Sequence, residues 1–239
     1  MDFFAVIDTE TNWDDEVMSI GMVIADTKTY RAITSKYWII NPEYNRGGMY
    51  SRTLEFQNKQ QNRYISRKDA LLEVKELLFF YNISDLFAYN ASFDCRHLPE
   101  LSDFIWHDII QIAAYKQHNS KIPKNAECHN TGRMKKGYSV ENMFAILSGK
   151  IDYEESHNAL LDAYDELEIM RLLSHNIENY PKLGEKTPQK VGTDNVIEIK
   201  KVEDKEYKKE IEERPKISAN HSPSIFRKVV ESIFGKKSN

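Results

Sequence analysis

The 239-residue sequence has little of what marks disulfide-rich, zinc-ribbon or membrane proteins. Cys95 and Cys128 are its only cysteines, and neither belongs to a C-x-x-C pair, so neither a disulfide framework nor a zinc ribbon is indicated. No apolar run approaches the roughly 18 residues of a membrane span, and the start M-D-F-F-A-V-I-D lacks the basic region of a secretory signal. We therefore expect a cytoplasmic protein with reduced thiols and no transmembrane segment.

An excess of positive charge is also missing. The chain has 33 Lys and Arg against 37 Asp and Glu, which gives a formal net charge of −4. It therefore cannot hold nucleic acid by bulk charge, and any such binding must be local, through a cleft, bound metal ions or a patch. The hydrophobic content of 41% is sufficient for a real core.

Short apolar runs alternate with helical patterns as far as about residue 175. The apolar runs predict five strands, at 3–7, 19–25, 36–40, 85–89 and 104–106. The spacing of other apolar residues predicts helices over 68–80, 92–98, 109–115, 139–147 and 158–173. An antiparallel meander followed by this alternation is typical of an α/β fold, and the polar segment 116–138 is expected to be a long basic loop.

The chain changes character after this compact part. Residues 179–221 are densely charged and cannot bury enough apolar surface to order themselves, so we expect a flexible linker. Residues 222–239 have an apolar helical face and nearby cations, which predicts a short amphipathic C-terminal helix. Docking of this helix to a protein partner is favoured over adhesion to a membrane surface or a return onto domain 1–178.

Four carboxylates and one histidine form the most informative pattern. Asp8 and Glu10 lie in F-A-V-I-D-T-E-T, Asp94 in A-Y-N-A-S-F-D, and His157 and Asp162 in H-N-A-L-L-D-A. Two residues apart on a strand, Asp8 and Glu10 face the same side and repel each other unless cations are held. The usual solution is two Mg²⁺ or Mn²⁺ ions about 3.5–4 Å apart, a geometry that suits phosphodiester hydrolysis.

In order and context these three motifs resemble those of the DEDD superfamily of 3′-to-5′ exonucleases, specifically its histidine-bearing DEDDh branch, which includes proofreading exonucleases. The resemblance covers roughly residues 1–175 and implies a ribonuclease-H-like mixed five-stranded sheet flanked by helices. The composition of the residues beyond it predicts a disordered or extended C-terminal tail. The tyrosine branch has Tyr four residues before the last Asp, where this chain has Asn158. His157, five residues before Asp162, would lie about 140° around a regular helix, which favours a position just before that helix.

The resemblance also implies a role for each motif residue. It assigns Asp8, Glu10 and Asp162 to the tighter of two metal ions. It assigns Asp8 and Asp94 to the second ion, the latter directly or through water. His157 is expected to be the general base, since an imidazole with an ordinary pKa of about 6.5 is largely neutral at cellular pH.

Four further residues are candidates for contacts to a single strand: Thr9, Thr11, Asn90 and Phe93. Asn90 could instead cap the following helix, and Phe93 could belong to the core. The cations Arg133, Lys135 and Lys136 in the 116–138 loop could guide a phosphate backbone or form a solvated face, and the sequence favours neither.

We therefore expect a metal-dependent 3′-to-5′ exonuclease that releases nucleoside 5′-monophosphates from single-stranded DNA, in replication proofreading or repair. An exoribonuclease that trims short RNA 3′ ends is the alternative enzyme, because nothing in the sequence shows how a 2′-hydroxyl would be treated. A module bound to a DNA polymerase through its C-terminal helix is a second class of function, and an inactive binding domain is a third.

Overall fold

The computed structural model describes residues 2–150, 152–185, 209 and 211–216. The strands of this part are β1 Phe3–Thr11, β2 Val17–Asp26, β3 Ala32–Ile40, β4 Tyr64–Ile65, β5 Asp85–Ala88 and β6 Ile105–Asp108. In these described residues they form one sheet in the order β4-β3-β2-β1-β5-β6, with antiparallel and parallel neighbours. The predicted mixed α/β sheet is confirmed. The two-residue β4, which joins β3 in parallel, extends the five predicted strands to six.

Helices cover both faces of the sheet. The α-helices of the described part are α1 Arg67–Phe80, α2 Ser92–His97, α3 Ile110–Ala113, α4 Val140–Ser148 and α5 Ala159–Leu173. Apolar residues of α1 pack against one face, and those of α3, α4 and α5 pack against the other. Ser139 and Asn158 accept hydrogen bonds from the first turns of α4 and α5 and so cap these two helices. No helix in the described residues is long and apolar enough to cross a membrane.

The polar end of the central strand β1, which carries Asp8 and Glu10, lies next to α5. The strand pairs antiparallel with β2 and parallel with β5. Phe4 and Val6 pack in the core beside α5, whereas Ala5 and Ile7 pack beside α1. Because strand side chains alternate, Asp8 and Glu10 continue the series of Phe4 and Val6 and face α5.

The first turn of α5 lies directly on β2 at Gly21. This glycine pairs with Asp8 of β1. A Cβ at Gly21 would stand well within 3.0 Å of the backbone carbonyl of Ala159 and the backbone nitrogen of Leu160. Only a residue without a side chain allows this approach, which brings Asp162, in the first turn of α5, to the polar end of β1.

A short described segment of the C-terminal tail returns to the domain. Arg214 forms an ion pair with Asp165 of α5 at 3.5 Å, and its guanidinium lies 4.5 Å from the ring centroid of Tyr164. The backbone N–H of Gln57 donates to the carbonyl of Lys216 at 3.2 Å. Arg214 therefore contacts α5, and Lys216 contacts the segment before β4.

The predicted domain boundaries, 1–178, 179–221 and 222–239, stay predictions. The amphipathic helix expected over 222–239 lies outside the described residues, as does most of the linker expected over 179–221. Docking of that helix to a DNA polymerase or another protein is likewise a prediction.

Candidate active site

Three elements bring the four predicted metal ligands together. Asp8 and Glu10 lie on β1, Asp94 lies on α2, and Asp162 lies in the first turn of α5. The carboxyl of Asp8 interacts electrostatically with those of Asp94, Asp162 and Glu10. Ligand atoms of Glu10, His157 and Asp162 all lie within 4.8 Å of one another. The five motif residues therefore form one cluster at the polar end of β1.

Asp94 reaches the cluster through the parallel pairing of β5 with β1. That pairing places the turn after β5, and hence α2, next to the polar end of β1. The hydroxyl of Thr9 donates to Asp94 Oδ1 at 2.8 Å, and Asp94 is only 2% exposed. The hydroxyl of Thr9, a predicted substrate contact, is thus engaged with a carboxylate of the cluster.

His157 lies just before α5, as its five-residue offset from Asp162 predicted. Its ring stacks on that of Tyr50, with centroids 3.8 Å apart and planes at 16°. The hydroxyl of Thr53 donates to the backbone carbonyl of His157. Tyr50 therefore positions the ring of His157, and Thr53 positions its backbone. Neither residue lies in a recognisable motif, so the sequence did not indicate either of them.

Asn158 connects the start of α5 to the loop that supports His157. Its side chain is fully buried, and its Oδ1 accepts a hydrogen bond from the backbone N–H of Leu160 at 3.2 Å. Its Nδ2 donates to the backbone carbonyl of Thr53 at 2.8 Å. One side chain thus begins the helix that carries Asp162 and fixes the loop against which the histidine packs.

Burial among like charges raises the pKa of each carboxyl in the cluster. For Asp8 the pKa is raised well above its ordinary value by burial first and by Asp94 second. Burial and Glu155 raise the pKa of Glu10 to about 8, and burial raises the pKa of Asp94 to about 7. Burial and Glu155 also raise the pKa of Asp162 well above its ordinary value. Such a set of oxygen ligands fits hard divalent cations, which would displace its protons.

Two carboxyls that the sequence analysis missed belong to the same cluster. Glu166, only 2% exposed, lies one turn after Asp162, and its pKa is raised well above the ordinary value by burial and by Asp94. Glu155, in the loop before His157, has its pKa raised to about 7 by burial and by Glu141. The four-residue offset from Asp162 was the available signal for Glu166, because it places both side chains on one helix face. No motif marks Glu155.

The other predicted substrate contacts lie at the edge of the cluster. Thr11 is half-buried at the end of β1, beyond an irregularity in the pairing with β2. Asn90 is exposed, with φ of 66°, and it does not cap α2, which begins after Ala91 without a side-chain cap. Phe93 is half-buried, and its ring lies 4.2 Å from that of His97. The structure therefore leaves Asn90 and part of Phe93 accessible to a ligand.

No protein-family model matches this sequence, and no curated protein matches it. Solved structures do match. The nuclease domain of 3′hExo, a DEDDh family member bound to rAMP, is 15% identical, with a TM-score of 0.52 over 77% of this chain and 97% of that one. The zinc-bound E. coli ExoI–ssDNA complex is 12% identical, with a TM-score of 0.51 over 73% of this chain and 41% of that one. The fold predicted from the motifs is confirmed: this chain has the fold of the DEDDh-type 3′-exonucleases.

Proposed function

We propose that the chain is a metal-dependent 3′-to-5′ exonuclease that hydrolyses phosphodiester bonds at the ends of single strands and releases nucleoside 5′-monophosphates. The observation that supports this is the convergence of Asp8, Glu10, Asp94 and Asp162 beside His157 on this fold. Single-stranded DNA, in proofreading or repair, is the proposed substrate, and an exonuclease of similar fold has been solved with single-stranded DNA.

Two Mg²⁺ or Mn²⁺ ions are the proposed cofactors, held by the oxygens of Asp8, Glu10, Asp94 and Asp162. The charged groups that act most strongly on these buried carboxyls are other carboxyls, so bound cations would relieve their mutual repulsion. When bound, such ions supply activation of water and stabilise charge on the leaving oxygen. Thr9 and Ser156 orient two of the ligands, since their hydroxyls donate to Asp94 and Asp162.

His157 is proposed to accept the proton of the attacking water. A ring nitrogen lies within 4.8 Å of carboxylate oxygens of Glu10 and Asp162, so the imidazole borders the proposed metal site. The stack on Tyr50 fixes the plane of the ring. A positioned base of this kind contributes typically about 10²–10⁴-fold to the rate.

Replacement of His157 by alanine is expected to lower kcat by about 10²–10⁴-fold while changing the affinity for Mn²⁺ by less than about threefold, since four carboxylates remain. Tyr50→Phe, which keeps the aromatic stack, is the matched variant and is expected to retain activity within about twofold. Manganese titrations of the hydrolysis rate measure both quantities. A loss of metal affinity as large as the loss of kcat would assign His157 to metal binding instead.

The substrate is tested by digesting 5′-labelled DNA and RNA of one sequence, resolved at single nucleotides, with Asp8→Ala as the inactive control. We expect a ladder that shortens from the 3′ end, and faster shortening of DNA. Faster shortening of RNA would favour the exoribonuclease, an alternative supported by the similar nuclease domain bound to rAMP. Internal cuts, or equal digestion by Asp8→Ala, would show that the proposed function is wrong.

A further inference from the structure

A cleft of about 600 Å³ opens next to the carboxylate cluster. Its lining includes Arg133, Lys135 and Lys136, and none of its lining residues is acidic. Tyr89, which follows β5, connects this cleft to the cluster, because it lines the cleft and its backbone N–H bonds to Glu166. We call this pocket the basic cleft. It stands out in a chain whose formal net charge is −4.

The cations of the basic cleft are held by ordered backbone. Arg133 forms a β-bridge with Tyr115. Its neighbour Met134 is 3% exposed and donates its N–H to the carbonyl of Ala114 at 2.9 Å. The N–H of Lys135 donates to the carbonyl of Glu127 at 2.9 Å. The predicted long loop 116–138 thus presents its charges from fixed positions, which lowers the entropy cost of binding a ligand.

Arg133 gives a second, independent indication of an anionic ligand. Its guanidinium lies over the ring of Tyr138, 4.9 Å from the centroid, and so is oriented by a cation–π contact. Its Nε is buried and has no hydrogen-bond acceptor among the described residues. A buried donor left without an acceptor is unfavourable, so the domain itself does not satisfy all the donors of Arg133. The planar fork of arginine matches the oxygens of a phosphate group.

We infer that the basic cleft binds backbone phosphates of the strand on the 5′ side of the nucleotide being removed. This inference rests on the proposed function and adds a binding site to it. The acidic cluster repels phosphates that are not neutralised by metal, so the rest of the strand needs a cationic surface close by. The basic cleft supplies three cations and shares Tyr89 with the surroundings of Glu166.

Binding is tested with a fluorescent single-stranded DNA of about 12 nucleotides, in EDTA, between about 50 and 200 mM salt. The double variant Lys135→Ala/Lys136→Ala removes two exposed side chains. It is expected to weaken binding about tenfold at the lowest salt and to reduce the slope of log affinity against log salt by about 0.7 per lost contact. Lys68→Ala, an exposed lysine of α1 on the other face of the sheet, is the control and should change neither.

Hydrolysis separates this inference from the proposed function. The p-nitrophenyl ester of thymidine 5′-monophosphate has no upstream phosphate, so its kcat/KM should be unchanged in the double variant, whereas that of the oligonucleotide should fall about tenfold. Equal losses on both substrates, or an unchanged salt slope, would overturn the inference. A wild-type protein that hydrolyses neither substrate would overturn the proposed function, and the binding slopes would still decide the role of the basic cleft. An acidic peptide that displaces the DNA when both supply the same concentration of negative charges would assign the cleft to a protein ligand. That result would also overturn the inference.

Discussion

Replacement of Asp162 by asparagine is expected to lower hydrolysis by at least about 10³-fold, which corresponds to about 4 kcal/mol of transition-state stabilisation. The substitution keeps the size of the side chain and an acceptor for the hydroxyl of Ser156, which donates to Asp162 Oδ1 at 2.9 Å. It removes the negative charge that the proposed metal site needs. The loss should therefore come from charge and not from packing.

The same substitution is expected to stabilise the metal-free protein. Burial and Glu155 raise the pKa of Asp162 well above 3.8, so at pH values between its unfolded and folded pKa the folded chain holds a proton that the unfolded chain has lost. Stability from this group therefore falls as pH rises. The stability contribution of asparagine does not depend on pH. We therefore expect the Tm of Asp162→Asn in EDTA to exceed that of the wild type by about 2–4 °C at about pH 8, and by less at about pH 6.

Calorimetry in EDTA and a hydrolysis assay with Mg²⁺ measure the two effects together. Asp103→Asn removes the charge of an exposed residue and is the control, expected to change neither Tm nor activity. A variant of Asp162 that is less stable than the wild type at high pH would show that the cluster is not strained by its own charge. A variant that keeps more than about a tenth of the wild-type rate would remove Asp162 from the proposed metal site.

The parts of the site that follow local rules were predictable from sequence. Period-two alternation put Asp8 and Glu10 on one face of β1, and the five-residue offset of His157 put it outside α5. Asp94 was found only because its motif resembles that of a known family. No local rule brings it to β1, since its position depends on the parallel pairing of β5 with β1 across a long stretch of chain.

The parts that were missed depend on tertiary packing. Tyr50 and Thr53 support His157 from a segment without regular structure or motif, so only the folded chain brings them together. Glu155 lies in an irregular loop and enters the cluster because the chain turns there into α5. The two residues of β4 are too few to form a recognisable pattern, and β4 exists because β3 offers a free edge. A polar residue in irregular chain gives no periodicity to detect.

Gly21→Ala is expected to destabilise the fold strongly, because the added methyl group would meet backbone atoms of α5. The added Cβ would overlap the backbone of Ala159 and Leu160. Backbone atoms in the first turn of a helix cannot move aside singly, so α5 must shift outward as a unit or β2 must bend. Overpacking of this kind costs about 1–3 kcal/mol or more, which predicts a decrease in Tm of several degrees.

The same shift of α5 would move the site residues at its start away from those on β1. Asp162 and His157 move with α5, whereas Glu10 stays with β1, and a misplacement of about 1 Å can cost about 10²-fold in rate. Gly149→Ala is the matched substitution, because Gly149 ends α4 at φ of 77° and a Cβ there would meet nothing within 4 Å among the described residues beyond its own helix and chain neighbours. It should lower stability by about 1–2 kcal/mol through backbone strain alone and leave kcat intact. Equal kcat in a folded Gly21→Ala protein would show that the candidate site does not need the close approach of α5 to β2.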